Sequence, residues 1–168
     1  DRDNVRVADP ANPGFFIKTG QQRVDGMELG LQGEVTSRWR VYGGYAYLDG
    51  RITKPVSSGT ATTVFPAGNK LGLVPRNTAS LWNRYDWNAN WGGGLGLMYQ
   101  ANSYTSLANS VKLPAFTRVD GALYYALDRK TRVALNVENL LNKRYFPTAD
   151  GDNNSSPGAP RNLRLTLA

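Results

Sequence analysis

The chain has no histidine and no cysteine among its 168 residues. The two absences remove whole chemistries. Without cysteine there is no disulfide framework, thiolate nucleophile or cysteine-based zinc site. Without histidine there is no Ser-His-Asp triad, imidazole base or histidine metal ligand. Catalysis is left with carboxylates, Lys, Tyr, Ser and Thr, which tilts the reading towards binding or transport. Long apolar runs are missing as well. No stretch approaches the roughly 18 consecutive apolar residues of a transmembrane helix. A membrane stays open nonetheless, because a membrane-crossing β-strand alternates between lipid and lumen and its mean hydropathy stays low. The value here is -0.46. The opening Asp1-Arg2-Asp3-Asn4 carries no initiator Met, basic n-region or apolar h-region, so the chain reads as starting partway through a longer product.

Acidic residues are the scarcer charge, 13 against 20 basic, for a net charge of +7. A basic excess raises the question of nucleic acid. Here the basic residues are scattered (Arg38, Arg40, Lys54, Arg76, Arg84, Lys112, Arg118, Arg129, Lys130, Arg132), several of them at strand ends, with no stripe interleaved by aromatics. That pattern fits a solvated or headgroup-level charge distribution and no nucleic acid.

What is present is period-two alternation. Met27, Leu29, Leu31, Gly33 and Val35 alternate with Glu28, Gly30, Gln32 and Glu34. After a short turn at Thr36-Ser37-Arg38, a strand from Trp39 to about Ile52 sets Trp39, Val41, Tyr45 and Tyr47 on one face, making a hairpin. Further strands are predicted over Arg76–Asn88, Gly92–Thr105, Ala115–Leu127 and Arg132–Asn139, with a last one carrying Leu163, Leu165 and Leu167. A truncated strand is expected at Asn4–Val7. Connections alternate in length: short near 36–38, 88–91 and 128–131, long at 53–75, 106–114 and 142–160. Outer-membrane barrels have this asymmetry, with short periplasmic turns and long extracellular loops. Trp39, Tyr85, Trp87 and Trp91 lie beside short turns, where a periplasmic-side girdle needs amphipathic rings; ordinary core anchoring is the competing reading. Glu28, Gln32, Glu34, Arg40, Asp120, Asn136, Glu138 and Arg164 would line a wet lumen. The carboxylates Glu28/Glu34 and Asp120/Glu138 lack a visible partner that would raise one pKa, so they read as lumen polarity and not as an enzyme's acid and base.

Several stretches resemble the C-terminal barrel strands of TonB-dependent outer-membrane receptors, in particular the ferric-siderophore, ferrichrome-receptor-like group. The most specific is Val137-Glu138-Asn139-Leu140-Leu141-Asn142-Lys143-Arg144-Tyr145, which matches the family's penultimate-strand pattern through Val137, Asn139, Leu140, Asn142 and Tyr145. Asn139 and Asn142 can bond local backbone groups as the strand ends, and Tyr145 packs near the membrane rim. Gly20–Glu28, Pro75-Arg76-Asn77, Thr117-Arg118-Val119-Asp120 and Gly158-Ala159-Pro160-Arg161 before Leu163–Leu167 match further segments in the family's order. The family's final strand runs on to a C-terminal aromatic, whereas this chain stops at Ala168, and the family's plug domain and TonB-contacting segment have no counterpart here.

The resemblance implies an all-β, antiparallel up-and-down transmembrane β-barrel segment over residues 1–168: about seven or eight strands of a barrel of about 22, with the plug absent. It implies a receptor of the bacterial outer membrane that imports ferric siderophores. Its partners would be the ferric siderophore, the TonB complex acting through the plug, and outer-membrane lipid and lipopolysaccharide. Iron travels inside its chelator, so no cofactor or metal ligand of the protein's own is expected. Candidate ligand contacts are aromatics at loop mouths, Phe65, Tyr104, Phe116, Tyr145 and Phe146, with girdle or loop packing as the alternative for each. Arg76, Lys112 and Arg118, near long loops, would attract an anionic chelate or outer-leaflet lipid phosphates. Two other readings compete. One is a self-contained small barrel with a structural or adhesive role, closing its first strand on its last. The other is a soluble all-β binding module.

Overall fold

The computed structural model describes residues 1–8, 15–57 and 64–168. In chain order the strands are β1 (Arg2–Ala8), β2 (Phe16–Thr36), β3 (Trp39–Lys54), β4 (Val56–Ser57), β5 (Val64–Phe65), β6 (Asn77–Asp86), β7 (Trp91–Gln100), β8 (Ser103–Tyr104), β9 (Lys112–Leu113), β10 (Phe116–Ala126), β11 (Arg132–Glu138), β12 (Thr148–Ala149), β13 (Ser155–Ser156) and β14 (Asn162–Leu167). Eight form one sheet in the order β1-β2-β3-β6-β7-β10-β11-β14. Every ladder in it is antiparallel. It is an up-and-down meander, as the alternating connections predict. Three two-stranded ribbons, β4–β5, β8–β9 and β12–β13, decorate its long-loop end.

Apart from the register shifts at the two ends of the β2–β3 ladder, which pair Gln21 with Lys54 and Thr36 with Trp39, the ladders pair odd-numbered residues with odd and even with even, for example Leu31↔Gly43, Gly43↔Leu81, Leu81↔Leu97, Leu97↔Val119, Gly121↔Val137 and Val137↔Leu163. Successive side chains on a strand point to opposite faces, so one parity defines one face of the whole sheet. Odd positions give Met27, Leu29, Leu31, Val41, Leu81, Leu95, Leu97, Val119, Leu123, Leu135 and Leu165. Even positions give Glu28, Gln32, Glu34, Arg40, Arg84, Asp86, Arg118, Asp120, Asn136, Glu138 and Arg164. Much of the odd face is open, with Met27, Leu29, Leu31, Leu81, Leu95, Leu97, Leu123 and Leu165 all exposed. A contiguous apolar face of this extent marks contact with a membrane or partner and speaks against a soluble module.

Aromatics bracket the apolar face. Trp39, Tyr85, Trp87 and Trp91 stand exposed beside the short turns, and Trp91 meets Tyr125 with ring centroids 4.4 Å apart. Tyr45, Tyr47 and Tyr99 stand at the other end of the same face. From Trp91 to Tyr99 the strand rises about 3.3 Å per residue; tilted about 40°, it spans about 20 Å, inside the apolar band of about 25 Å. Two polar residues on this face are satisfied by the aromatics themselves. Tyr45 OH donates to Asn77 Oδ1 at 2.7 Å, and Trp39 Nε1 donates to Asn83 Oδ1 at 3.3 Å.

Some boundaries differ from expectation. β2 starts at Phe16, well before Met27, and with β3 forms a hairpin that projects past the upper tyrosines. Its outer residues Gln21, Gln22, Arg23 and Asp25 broke the apolar alternation because positions above the membrane meet water and need not be apolar. Gly20, at φ +72°, lies beside the register shift at Gln21/Gln22, and a Cβ there would sit 2.6 Å from the Pro55 carbonyl oxygen. The 53–75 connection contains the β4–β5 ribbon and a small core of Ile52, Val56 and Leu71 with Phe65, Val74 and Leu107 against it. Residues 58–63 of that connection lie outside the described residues. The expected strand Gly92–Thr105 divides into β7 and β8, and β1 covers the predicted Asn4–Val7. β1 and β14 are the two ends of the sheet and do not pair with each other among the described residues. The closure required of a self-contained small barrel is therefore not seen.

The parity of the wall generates a direct test. In the full-length protein folded into lipid vesicles, Leu97→Arg, mid-band on the odd face, should cost about 2–4 kcal/mol. Met98→Gln next to it, on the even face, should change stability far less, as read by urea titration. Equal costs at the two positions would show that the faces are misassigned.

Candidate functional site

The long connections emerge at one end, and the best-defined structure there is the Val137–Tyr145 segment. β11 stops at Glu138 because Asn139 and Asn142 take left-handed backbone, φ +52° and +49°, which Asn tolerates better than other side-chain-bearing residues. Asn139 is 1 % exposed and its amide is fully used. Its Oδ1 accepts from the Lys143 N–H at 2.8 Å, and its Nδ2 donates to the carbonyls of Lys143 (2.9 Å) and Ala159 (3.0 Å). The Asn139 backbone N–H donates to Asp120 Oδ1 at 2.8 Å, and Leu140 N–H donates to the Val119 carbonyl at 2.7 Å. Asp120 also receives Arg118 Nη2 at 2.8 Å, and Arg118 Nη1 reaches Tyr145 OH at 3.3 Å. Thr117–Asp120 and Val137–Tyr145, separate matches in the sequence, are thus one bonded unit. Asn142 closes it by accepting the Arg161 N–H at 3.0 Å. Leu140 Cδ2 lies 3.8 Å from where a Gly121 Cβ would stand, and Val137 takes its place on the odd face.

Aromatic packing completes the unit. Phe116 and Tyr145, 4 % and 7 % exposed, stack with centroids 4.5 Å apart. Gly158 lies against the same ring, where a Cβ would come within 2.1 Å of Tyr145, so only glycine fits.

The three described long connections are cross-tied. Asn69 Nδ2 donates to the Leu107 carbonyl (2.8 Å), while Asn109 accepts the Lys70 N–H (2.7 Å) and donates to the Lys70 carbonyl (2.8 Å). Leu73 N–H donates to the Tyr104 carbonyl at 2.7 Å. From the other side, Thr105 Oγ1 and Ser110 Oγ each donate to Asp152 at 2.5 Å. The bond from Ser110, then that from Thr105, holds the Asp152 carboxyl below its ordinary value. Gln100 Nε2 adds a bond to the Pro147 carbonyl at 3.2 Å.

The five predicted contact residues do not form one cluster. Phe65 packs half-buried on the small Ile52 core. Tyr104 lies half-buried with the Lys112 ammonium 4.9 Å over its ring. Phe116 and Tyr145 bury each other, which is loop packing. Phe146 is the most exposed of the five, on the rim of a recess with Lys143, Arg144, Pro157 and Pro160. The roles of Asn109 and Asp152 were not legible beforehand, since a tie between loops leaves no periodic signal.

The even face below is polar but smooth. Arg40 Nη2 meets Asp86 Oδ2 at 2.5 Å and Arg84 Nε meets Asp86 Oδ1 at 3.1 Å, with the Arg84 guanidinium 4.3 Å over Tyr124. The Trp82 indole lies across Gly94 and Gly96, where added Cβ atoms would come within 2.5 and 2.4 Å of it. Among the described residues no three acidic side chains converge to hold a metal ion.

Comparison with known proteins places these features. Residues 1–140 match the family model described as TonB dependent receptor-like, beta-barrel. The chain is 32 % identical to the probable TonB-dependent siderophore receptor PiuA of Acinetobacter baumannii, covering 99 % of this chain and 23 % of that protein. The same identity holds for the metal-pseudopaline receptor CntO of Pseudomonas aeruginosa (98 % and 23 %) and for the ferrichrome outer membrane transporter/phage receptor of Escherichia coli (97 % and 22 %). The crystal structure of PiuA superposes with a TM-score of 0.87, covering 98 % of this chain and 24 % of that one. The chain thus spans under a quarter of the length of these relatives.

Two predictions follow from the cross-tied loops. Asn139→Leu strips partners from the Lys143 N–H and from two carbonyls, each worth about 1–3 kcal/mol when left buried and unpaired. Amide hydrogen exchange of the full-length receptor should accelerate across 140–160 and stay unchanged in β7. The Asp152 tie has the opposite character. Its carboxyl is depressed in the folded state from an ordinary 3.8, so its contribution is complete above that value and fades only as pH falls through the lower, folded value. Exchange protection of 105–110 should be flat between about pH 7 and pH 5 and should fall only under about pH 4. A loss centred near pH 6 would show that another group holds the loops together.

Proposed function

The chain belongs to the TonB-dependent receptor β-barrel family, whose members are outer-membrane transporters and not enzymes, and from that premise we propose that it forms wall and outer loops of a receptor importing ferric siderophores. The carrying observation is the division of one sheet into an apolar odd face and a polar even face, with every long connection at one end. The odd face lies against lipid. The even face lines the water-filled path, where Arg40 and Arg84 share Asp86, Glu34 stands 3.9 Å from Arg40 as the second carboxylate, and the Gly94–Gly96 strip keeps Trp82 flush with the wall. The cross-tied loops face outward to meet the cargo. Energy from the TonB complex enters through a plug domain, which this segment surrounds.

Of the aromatic candidates, Phe146 is the one offered to the cargo. Its exposed ring beside Lys143 and Arg144 suits an anionic chelate carrying apolar or catecholate rings. Similarity to a metal-pseudopaline receptor supports a second reading, in which the cargo is a chelate of another metal.

Uptake of radiolabelled iron by cells whose only receptor is the full-length protein separates the two readings. One or more ferric siderophores should enter in a TonB-dependent manner. Phe146→Ala should weaken apparent affinity about two- to tenfold, the scale of a lost aromatic contact, without lowering receptor abundance. Entry of nickel, cobalt or zinc chelates with no ferric siderophore transported would overturn the iron reading.

A further inference from the structure

Above the upper tyrosines the wall carries a basic recess beside Tyr47 and Asp49, two odd-face positions of β3. It lies between the projecting end of β3 and the β8–β9 ribbon, with a volume of about 270 Å³, and Asp49, Lys70, Arg76, Ser103, Tyr104 and Lys112 are among its lining residues. This is below the roughly 300 Å³ at which small-molecule pockets begin. It is too small for a chelated metal and wide enough for a phosphoryl group.

Its chemistry is that of an anion site. Lys112 and Arg76 have no carboxylate partner among the described residues. Each instead rests on a tyrosine: the Lys112 ammonium 4.9 Å above Tyr104, the Arg76 guanidinium 5.4 Å above Tyr47 and donating to its hydroxyl at 2.9 Å. The one carboxylate, Asp49, is already engaged by Lys70 at 2.5 Å and faced by Arg51 at 3.8 Å. Ser103 supplies an independent observation. It is 4 % exposed, and its Oγ has no hydrogen-bond partner. A buried hydroxyl left without a partner is costly, and an anion oxygen in the recess would accept its hydrogen bond.

The depth selects the source of that anion. Tyr47 closes the apolar face, and such aromatics sit at headgroup level. Arg76, bonded to the Tyr47 hydroxyl, therefore lies at the depth of the lipid phosphates. We propose that this recess binds the phosphoryl group of an outer-leaflet lipid, with Arg76 and Lys112 supplying charge and Ser103 donating a hydrogen bond. The proposal rests on the outer-membrane placement of the wall and not on the cargo, so uptake assays read one and lipid retention reads the other.

The test uses the full-length receptor in detergent, with native mass spectrometry reading retained lipid. The probes are a phosphorylated lipid A, the same lipid with its phosphates removed, and inorganic phosphate alone. The phosphorylated lipid should be retained and the dephosphorylated one lost. Arg76→Gln or Lys112→Gln should each weaken retention about fivefold, and the pair about thirtyfold. Ser103→Ala, which changes no charge, should weaken it about tenfold. Arg129→Gln with Lys130→Gln, on a short turn at the opposite rim, removes the same charge and should change nothing. Heat-modifiable gel migration of the Arg76/Lys112 pair variant reports that the barrel has folded, whatever its cargo. Equal retention of the dephosphorylated lipid, or equal loss in the Arg129/Lys130 control, would mean diffuse adsorption and would refute the site. Saturation of the recess by inorganic phosphate with no preference for lipid would assign it to a free anion instead.

Discussion

Inside a bilayer no water is available to satisfy a backbone N–H or carbonyl, so each strand must be hydrogen-bonded on both sides. That constraint governs the rest of this wall. Continuous ladders from β2 to β14 keep the backbone paired, and between the two register shifts at the ends of the β2–β3 hairpin parity passes from strand to strand. A one-residue slip anywhere would send every later side chain to the wrong face. The short turns protect this arithmetic: Asn88 caps its turn by accepting the N–H groups of Asn90 and Trp91, both at 2.9 Å. Asp128 does the same for Lys130 and Thr131, at 2.7 and 2.8 Å.

Outside the apolar band the rule is relaxed and the structure changes character. Backbone groups there can find water or side chains, so connections are long and held by amides and carboxylates. Asn139 is where the two regimes meet. It ends a lipid-level strand, turns the chain through left-handed backbone, and binds the carbonyls of Lys143 and Ala159 and the N–H of Lys143. Its neighbour Asp120 serves the membrane side of the junction by accepting the Asn139 N–H and the Arg118 guanidinium. The loop leaving the wall is thereby fixed to the wall.

The legible part of this structure is the part that lipid constrains. Period two from Met27 to Val35 and from Leu163 to Leu167 was plain because each outward residue must be apolar. The short turns at Asn88 and Asp128 declared themselves through their side chains. Legibility failed where water replaced lipid. Gln21, Gln22 and Arg23 sit in a strand that no alternation marks, and the β4–β5 and β8–β9 ribbons are too short to carry a period. The aromatic candidates show the same limit. Phe116 and Tyr145 look like ligand aromatics in a loop, yet they bury each other against Gly158; composition cannot tell a stacked pair from a free ring. Motif resemblance located Asn139, but its partners Lys143 and Ala159 follow only from three-dimensional closure.

The two faces also divide the labour of the wall. The odd face is bound to present hydrocarbon, which leaves polar chemistry to the even face and the loop end. On the even face the placing of glycine matters more than the placing of charge. Gly92, Gly94 and Gly96 occupy successive inward positions of β7, and the Trp82 and Arg84 side chains of β6 fold over that side instead of standing into the lumen. Trp82 covers Gly94 and Gly96, and Arg84 turns towards Asp86 and Tyr124. Free charges pointing into the lumen would hold a passing anion or a plug segment tightly. Paired charges on a smooth surface hold them weakly, because each is already compensated within the wall. Compensated polarity over the glycines of β7 thus gives the even face low relief and little bare charge.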